Sequence, residues 1–185
     1  MNMFLRKASR ARSWKSFFKS EVKGSIAIEA AFLIPVFGLI FVGSTTLFEV
    51  QRVNSSYLHA ATTISDLVTR HIEVTDANAQ NFYDTAGSLV ASEKNLKITL
   101  TSVSYNATDD EYFVNWSSSN INGEELEDDD ILTFDFPAME ETESVMLVVV
   151  EGDYNPIIDS FFGTEVRFTE HAIRRPRFVR LVNRV

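Results

Sequence analysis

One carboxylate stands out by its surroundings. Glu29 is the only charge in Ser25–Phe48, a run of 24 residues, and 19 uncharged residues follow it from Ala30 to Phe48. A carboxylate inside a lipid-soluble segment costs about 2.5–3.5 kcal/mol on insertion scales, which makes it a functional suspect by default. The chemistry open to it is pairing with a cation. Were the chain cut between Gly24 and Ser25, Ser25 would carry a new α-ammonium four residues before Glu29. Four residues is a spacing at which charges meet on a helix. The freed amine of a neighbouring copy would serve equally. In an uncut chain Glu29 sits near the start of the apolar run, where it snorkels to the interface or stays neutral.

Other chemistry is harder to place. The 185-residue chain has no cysteine and a formal charge of −9. Thiol nucleophiles, zinc ribbons and iron–sulfur clusters are therefore excluded. No G-x-S-x-G, Walker A, G-x-G-x-x-G or H-E-x-x-H pattern is present. His59, His71 and His171 lack ligand spacing and read as helix-surface or strand residues. No pair of carboxylates is singled out as acid and base. The expectation is a non-enzyme with no cofactor and no metal site. The densest charge, Glu124-Glu125-Leu126-Glu127-Asp128-Asp129-Asp130, lacks the D-x-D-x-D-G spacing of a calcium loop and reads as a solvated, self-repelling loop. The basic end, Arg174 to Arg184, has too few aromatics on too acidic a chain for a nucleic-acid surface. Its expected role is compensation of the chain's own acidic loop, with another subunit or anionic lipid as alternatives.

The elements that must position these groups follow from charge and apolar periodicity. Residues 1–23 carry seven bases and one acid, whereas residues 53–166 carry three bases and 22 acids. Between them, Ser25–Phe48 is long enough for a helix across the roughly 30 Å hydrocarbon core. With basic residues on its N-terminal side, the positive-inside rule puts 1–24 in the cytoplasm and the remainder outside the inner membrane. A cleaved secretory signal and a buried core helix share part of this pattern. The run is longer than a signal's apolar core and lacks a good A-x-A site. Pro35 removes one backbone donor and predicts a kink in the apolar helix.

Beyond the membrane segment, Val50, Val53, Tyr57, Ala60, Ile64, Leu67 and His71 recur at helical spacing. They predict a stem over 49–73, and a helix from 25 to 72 would be about 70 Å long. The stripe is expected to pack on the protein's own sheet, with a coiled coil to another helix as the alternative. A second helix is predicted at Asp76–Ser92, with Asp76 as N-cap and Phe82, Ala86, Leu89 and Val90 as its apolar face. Strands are predicted at Leu96–Ser104, Glu111–Trp116, Glu143–Val150 and Thr164–Arg174, with the Met146–Val150 run as a central strand buried on both faces. Residues 117–142 read as a long acidic loop. The fold class is α+β: a long N-terminal helix, then a head over 74–185 with one further helix and a mostly antiparallel sheet.

The run Lys23-Gly24-Ser25-Ile26-Ala27-Ile28-Glu29 resembles the processing site of type IV prepilins: a basic leader, Gly, four residues, Glu and an apolar helix. The longer stretch from Gly24 to Arg52 resembles the TadE-like family, the pseudopilins of the tight-adherence (Flp) pilus, in which proline also tends to fall where Pro35 stands. The run Val148 to Pro156 and the sequence Arg174-Arg175-Pro176-Arg177 loosely resemble that family's closing strand and tail. A departure is Ala30, where tight-adherence prepilins often carry Tyr. The resemblance implies a pilin-like fold and a minor pseudopilin, cut at Gly24–Ser25 by a prepilin peptidase. Its implied partners are the inner membrane, other pseudopilins and the pilus assembly platform, and its implied roles are adhesion and biofilm formation. A membrane-anchored binding or sensor protein and an anchored hydrolase are the competing classes.

Overall fold

The computed structural model describes residues 21–90, 94–141, 143–155 and 166–185, with the backbone alone for 21–25 and 94. Residues 1–20 of the expected leader over 1–24, the end of the second predicted helix at 91–92 and the first residues of the last predicted strand at 164–165 lie outside these. The chain divides into two compact units, 1–45 and 46–185. Helix α1 runs Glu21–Val68 with Pro35 inside it. β1 (Glu73–Val74), α2 (Asp76–Leu89), β2 (Lys94–Asn106), β3 (Glu111–Ser119), α3 (Asp128–Ile131), β4 (Ser144–Tyr154), β5 (Val166–Arg174) and β6 (Asn183–Arg184) follow. The result is α+β: a long apolar helix, a second helix and a mainly antiparallel sheet.

In the first unit, the described residues are helical throughout. Ile26, Phe32, Ile34, Phe37, Ile40 and Phe41 are all exposed, Phe32 by 73%. Every residue from Ala31 to Phe41 is exposed, three turns that cover every side of the helix, the pattern of a segment whose solvent is lipid. Among the described residues, α1 is the helix long and apolar enough to cross a membrane.

In the second unit the sheet order is β3-β2-β4-β5, antiparallel throughout, and a parallel pair β1-β6 stands beside it. β4 is central, pairing Val148 with Leu100 on one side and Ala172 on the other. Its run from Ser144 to Val150 is buried without interruption, as two covered faces require.

Each face has its own core. On one, the α1 residues Val53, Tyr57, Ala60, Ile64 and Val68 join Phe82 and Ala86 of α2 over Ile98, Leu100, Met146, Val148 and Val150. The predicted stripe therefore packs on the sheet of its own chain. α1 ends at Val68 rather than 72, because the Arg70 and His71 amides bond three residues back, to Leu67 and Val68, and the turn tightens. Thr75, not Asp76, caps α2, its hydroxyl accepting the Asn78 N–H at 3.2 Å.

The other face corrects the reading of 117–142 as one long acidic loop, although the acids of 124–130 are exposed as expected. β3 extends to Ser119, and the segment after it folds back as a strap. Ile131 and Met139 are buried with Val103, Val145, Leu147 and Val149, and Leu126, Phe134 and Phe136 pack against them. A bulge in the β2–β3 pairing makes this possible: Val103 faces Val114 while Ser102 faces Trp116, leaving Asn115 as the extra residue. Val114 consequently packs with the strap core and Trp116 with the helix core.

Candidate functional site

The Gly24–Ser25 peptide lies inside α1, four residues after its start at Glu21. By helix geometry the Ser25 amide points back toward the Glu21 carbonyl, so hydrolysis there requires the first turn to unwind. Gly24 favours that, since glycine costs about 1 kcal/mol relative to alanine in a helix interior. Glu29 follows on an exposed position of the same helix. Pro35 lies further along α1, where it cannot donate to the Ala31 carbonyl, yet the helix continues through it. Ser44 and Thr45 return their hydroxyls to the Ile40 and Val42 carbonyls, which satisfies both inside the apolar segment.

Three carboxylates of the acidic run hold the strap's own backbone and the sheet edge beside it. Asp128 Oδ1 accepts the Val114 N–H at 2.6 Å, joining the strap to the sheet edge. Glu127 and Asp130 form a reciprocal capping box around the start of α3. Asp130 Oδ2 accepts the Glu127 N–H at 3.0 Å. Among the described residues no group of three or more His, Asp or Glu side chains is placed to hold a metal ion. His71 and His171 stand edge-on to Phe82 and Phe134, at 5.3 and 5.0 Å between ring centres. His59 is on the exposed side of α1.

Three arginines of the basic tail pair outside the acidic run, where compensation of the acidic loop was expected. Arg177 and Arg70 both bind Asp66 of α1, Arg184 binds Asp76 at 2.8 Å, and Arg175 binds Glu143 at 3.3 Å. Arg175 also donates to the Ala138 carbonyl at the end of the strap. Trp116 Nε1 donates to the Val182 carbonyl at 2.7 Å, and the Arg184 guanidinium lies 6.0 Å from the Trp116 ring centre. The tail is thus fastened to the helix face of the sheet. The two guanidiniums around Asp66, Arg70 first, hold its carboxyl below the ordinary value of 3.8.

A second ionic cluster lies at the opposite end of β4. Arg167 Nε is 2.9 Å from Asp153, Asn95 donates to the same carboxylate at 3.1 Å, and Lys97 lies 3.3 Å from Glu124. Arg167 and then Asn95 lower the Asp153 pKa. Asn95, Lys97, Glu124 and Arg167 line an open cavity of about 320 Å³. Arg167 and Asn95 share Asp153, and Lys97 pairs with Glu124. Burial raises the pKa of Tyr83, whose hydroxyl bonds Ser118 at 2.7 Å. The sequence did not single out Tyr83, although its place three residues before Ala86 on α2 was the available signal. Compared with known proteins, the chain matches no family model, no curated protein and no solved structure.

Proposed function

We propose that the protein is a minor pseudopilin of the TadE-like type, acting in assembly of a tight-adherence pilus and hence in surface attachment and biofilm formation. The observation that supports this reading best is the company kept by Glu29. It is an exposed carboxylate at the head of a helix whose apolar side chains are exposed all round, five residues after Gly24. In this reading a prepilin peptidase cuts Gly24–Ser25 at the cytoplasmic face of the bacterial inner membrane. The new ammonium of Ser25 then neutralises Glu29, on the same helix or on a neighbour, and lowers the cost of keeping the acid in lipid. The apolar helix stores the subunit in the membrane until it joins a helical bundle with other pseudopilins at the assembly platform. The head lies in the periplasm and performs no catalysis.

Intact mass of the protein purified from peptidase-competent cells tests the first step. The expected species begins at Ser25; one that retains residues 1–24 defeats the cleavage step. Glu29→Gln tests the second. It is expected to insert normally and to abolish or sharply reduce pilus assembly. Normal pili from Glu29→Gln would replace this reading with that of a tethered binding protein.

A further inference from the structure

Within the second unit, three ties fix the height of the sheet along α1. At one end the Arg177 N–H, just past β5, donates to the Thr69 carbonyl at 3.0 Å. Further down, Tyr57 lays its ring against the Gly152 backbone, where an added Cβ would stand 3.1 Å from Cε1. Lowest, burial and then the Glu49 carboxylate beside it raise the pKa of the Tyr154 hydroxyl. β4 therefore descends along α1 toward Glu49, the first charge after the apolar run, and β5 starts from the same end, with Val166 opposite Tyr154.

The rise per residue turns these ties into heights. Tyr57 is nine residues past Phe48. At 1.5 Å per residue it stands about 14 Å beyond the end of the apolar run. Asn155 lies three residues below Gly152 on an extended chain, a descent of about 10 Å, which leaves it about 4 Å beyond Phe48. The headgroup layer on each side of a bilayer is about 5–7 Å thick, half the difference between the full bilayer and its hydrocarbon core. The burial of α1 agrees with this level. Thr46 stands inside the apolar run and is 3% exposed, while Leu47 and Phe48 beside it are exposed by 60% and 77%. All three belong to the second unit. Packing in that unit thus extends to the last turn of the lipid-soluble run and leaves its other side bare.

We propose that the open end of the sheet, Tyr154–Asn155 with Val166–Arg167, is seated in the phospholipid headgroup layer of the membrane that α1 crosses. Tyr154 is half-buried, and Asn155 and Arg167 are exposed. Tyrosine and arginine suit that layer, since each has an apolar body and a polar tip. Arg167 is already paired with Asp153, and Lys97 with Glu124 and Glu151. The contact therefore asks for no anionic lipid. It holds the head upright against the bilayer instead of leaving it free at the end of a stalk. The proposal rests on α1 spanning the membrane and requires neither cleavage at Gly24 nor a pilus.

The chain has no cysteine, so single-cysteine variants each carry one nitroxide. The test places Phe37→Cys, Asn155→Cys, Thr169→Cys and Ala107→Cys, each in the full chain, in phosphatidylcholine liposomes. All four positions are exposed, and Ala107 lies in the β2–β3 turn at the opposite end of the sheet. Collision with oxygen, which concentrates in lipid, and with a water-soluble nickel chelate gives each label its depth. Phe37 is expected within the hydrocarbon, and Asn155 within about 7 Å of its edge. Thr169 pairs with Glu151, four residues above Asn155, and is expected about 13 Å further out. Ala107 is expected in open water. Asn155 as accessible to the chelate as Ala107, with Phe37 in lipid, overturns the seating and leaves the membrane reading intact. Phe37 in water overturns both. Asn155 shielded from oxygen and chelate alike is covered by protein and overturns the proposal, as does a headgroup depth found only with anionic lipid.

Discussion

The two parts of α1 are built from similar residues for different solvents. From Ile26 to Phe48 large apolar side chains are exposed over most of the helix circumference, whereas from Val53 to Val68 a single stripe is sealed against the sheet. In the first part large apolar side chains such as Phe32, Ile34 and Phe41 stand mostly exposed. In the second, Tyr57, Ala60 and Ile64 have no exposed surface and their shapes are set by what they touch. Equal hydrophobicity therefore carries unequal structural information. A lipid-facing residue needs only to be apolar, but a packed residue must also fit.

The largest expected effect tests that inequality. Ile64→Ala should destabilise the head by about 2–5 kcal/mol, because it leaves a cavity under β2 and β4. Ile34→Ala should change head stability by less than about 0.5 kcal/mol, as expected for an exposed position. Thermal unfolding of the full chain in detergent compares the two, and equal losses would break the distinction. Next comes Gly152→Ala. A Cβ there would press on the Tyr57 ring, 3.1 Å from Cε1, and Tyr57 is fully buried with no room to swing away. Overpacking of this kind costs about 1–3 kcal/mol. Pairing Gly152→Ala with Tyr57→Leu should recover part of the loss in a double-mutant cycle.

Smaller effects are expected where capping and charge act. Thr75→Ala removes the N-cap of α2 and should cost about 1 kcal/mol in the same melt. The smallest concerns Asp66, whose carboxyl titrates below its ordinary value because Arg70 and Arg177 hold the charged form. The unfolded chain thus binds the proton first. This contribution to stability is present above the ordinary value of 3.8 and is lost as pH falls through the lowered one. Asp66→Asn should lower the neutral-range melting temperature slightly, leave the acid extreme nearly unchanged, and so flatten the acid limb of the melting curve.

Much of the helix face was legible beforehand. The 3–4 spacing of Val53, Tyr57, Ala60 and Ile64 marks one side of a helix whatever it meets, and the unbroken Met146–Val150 run demands cover on both faces. The strap was not read, because its charge density dominated. Leu126, Ile131, Phe134, Phe136 and Met139 were nevertheless spaced through the acids as anchors, and they are what binds the segment to the sheet. The N-cap was misplaced by one residue because Thr75 and Asp76 are both capping types. Backbone conformation decides between them, and Thr75 is the extended one, with φ −85° and ψ 165°.

Local composition alone determined the apolar helix, the packed stripe and the central strand, since each depends on periodicity within a few turns of chain. Only tertiary structure decided which carboxylates the arginines meet: Asp66 lies 111 residues from Arg177, and Asp76 lies 108 from Arg184. It also decided that one extra residue in β3 sends Val114 and Trp116 to opposite faces. Ion pairing and strand register depend on which segments the fold brings side by side, and sequence proximity carries no record of that.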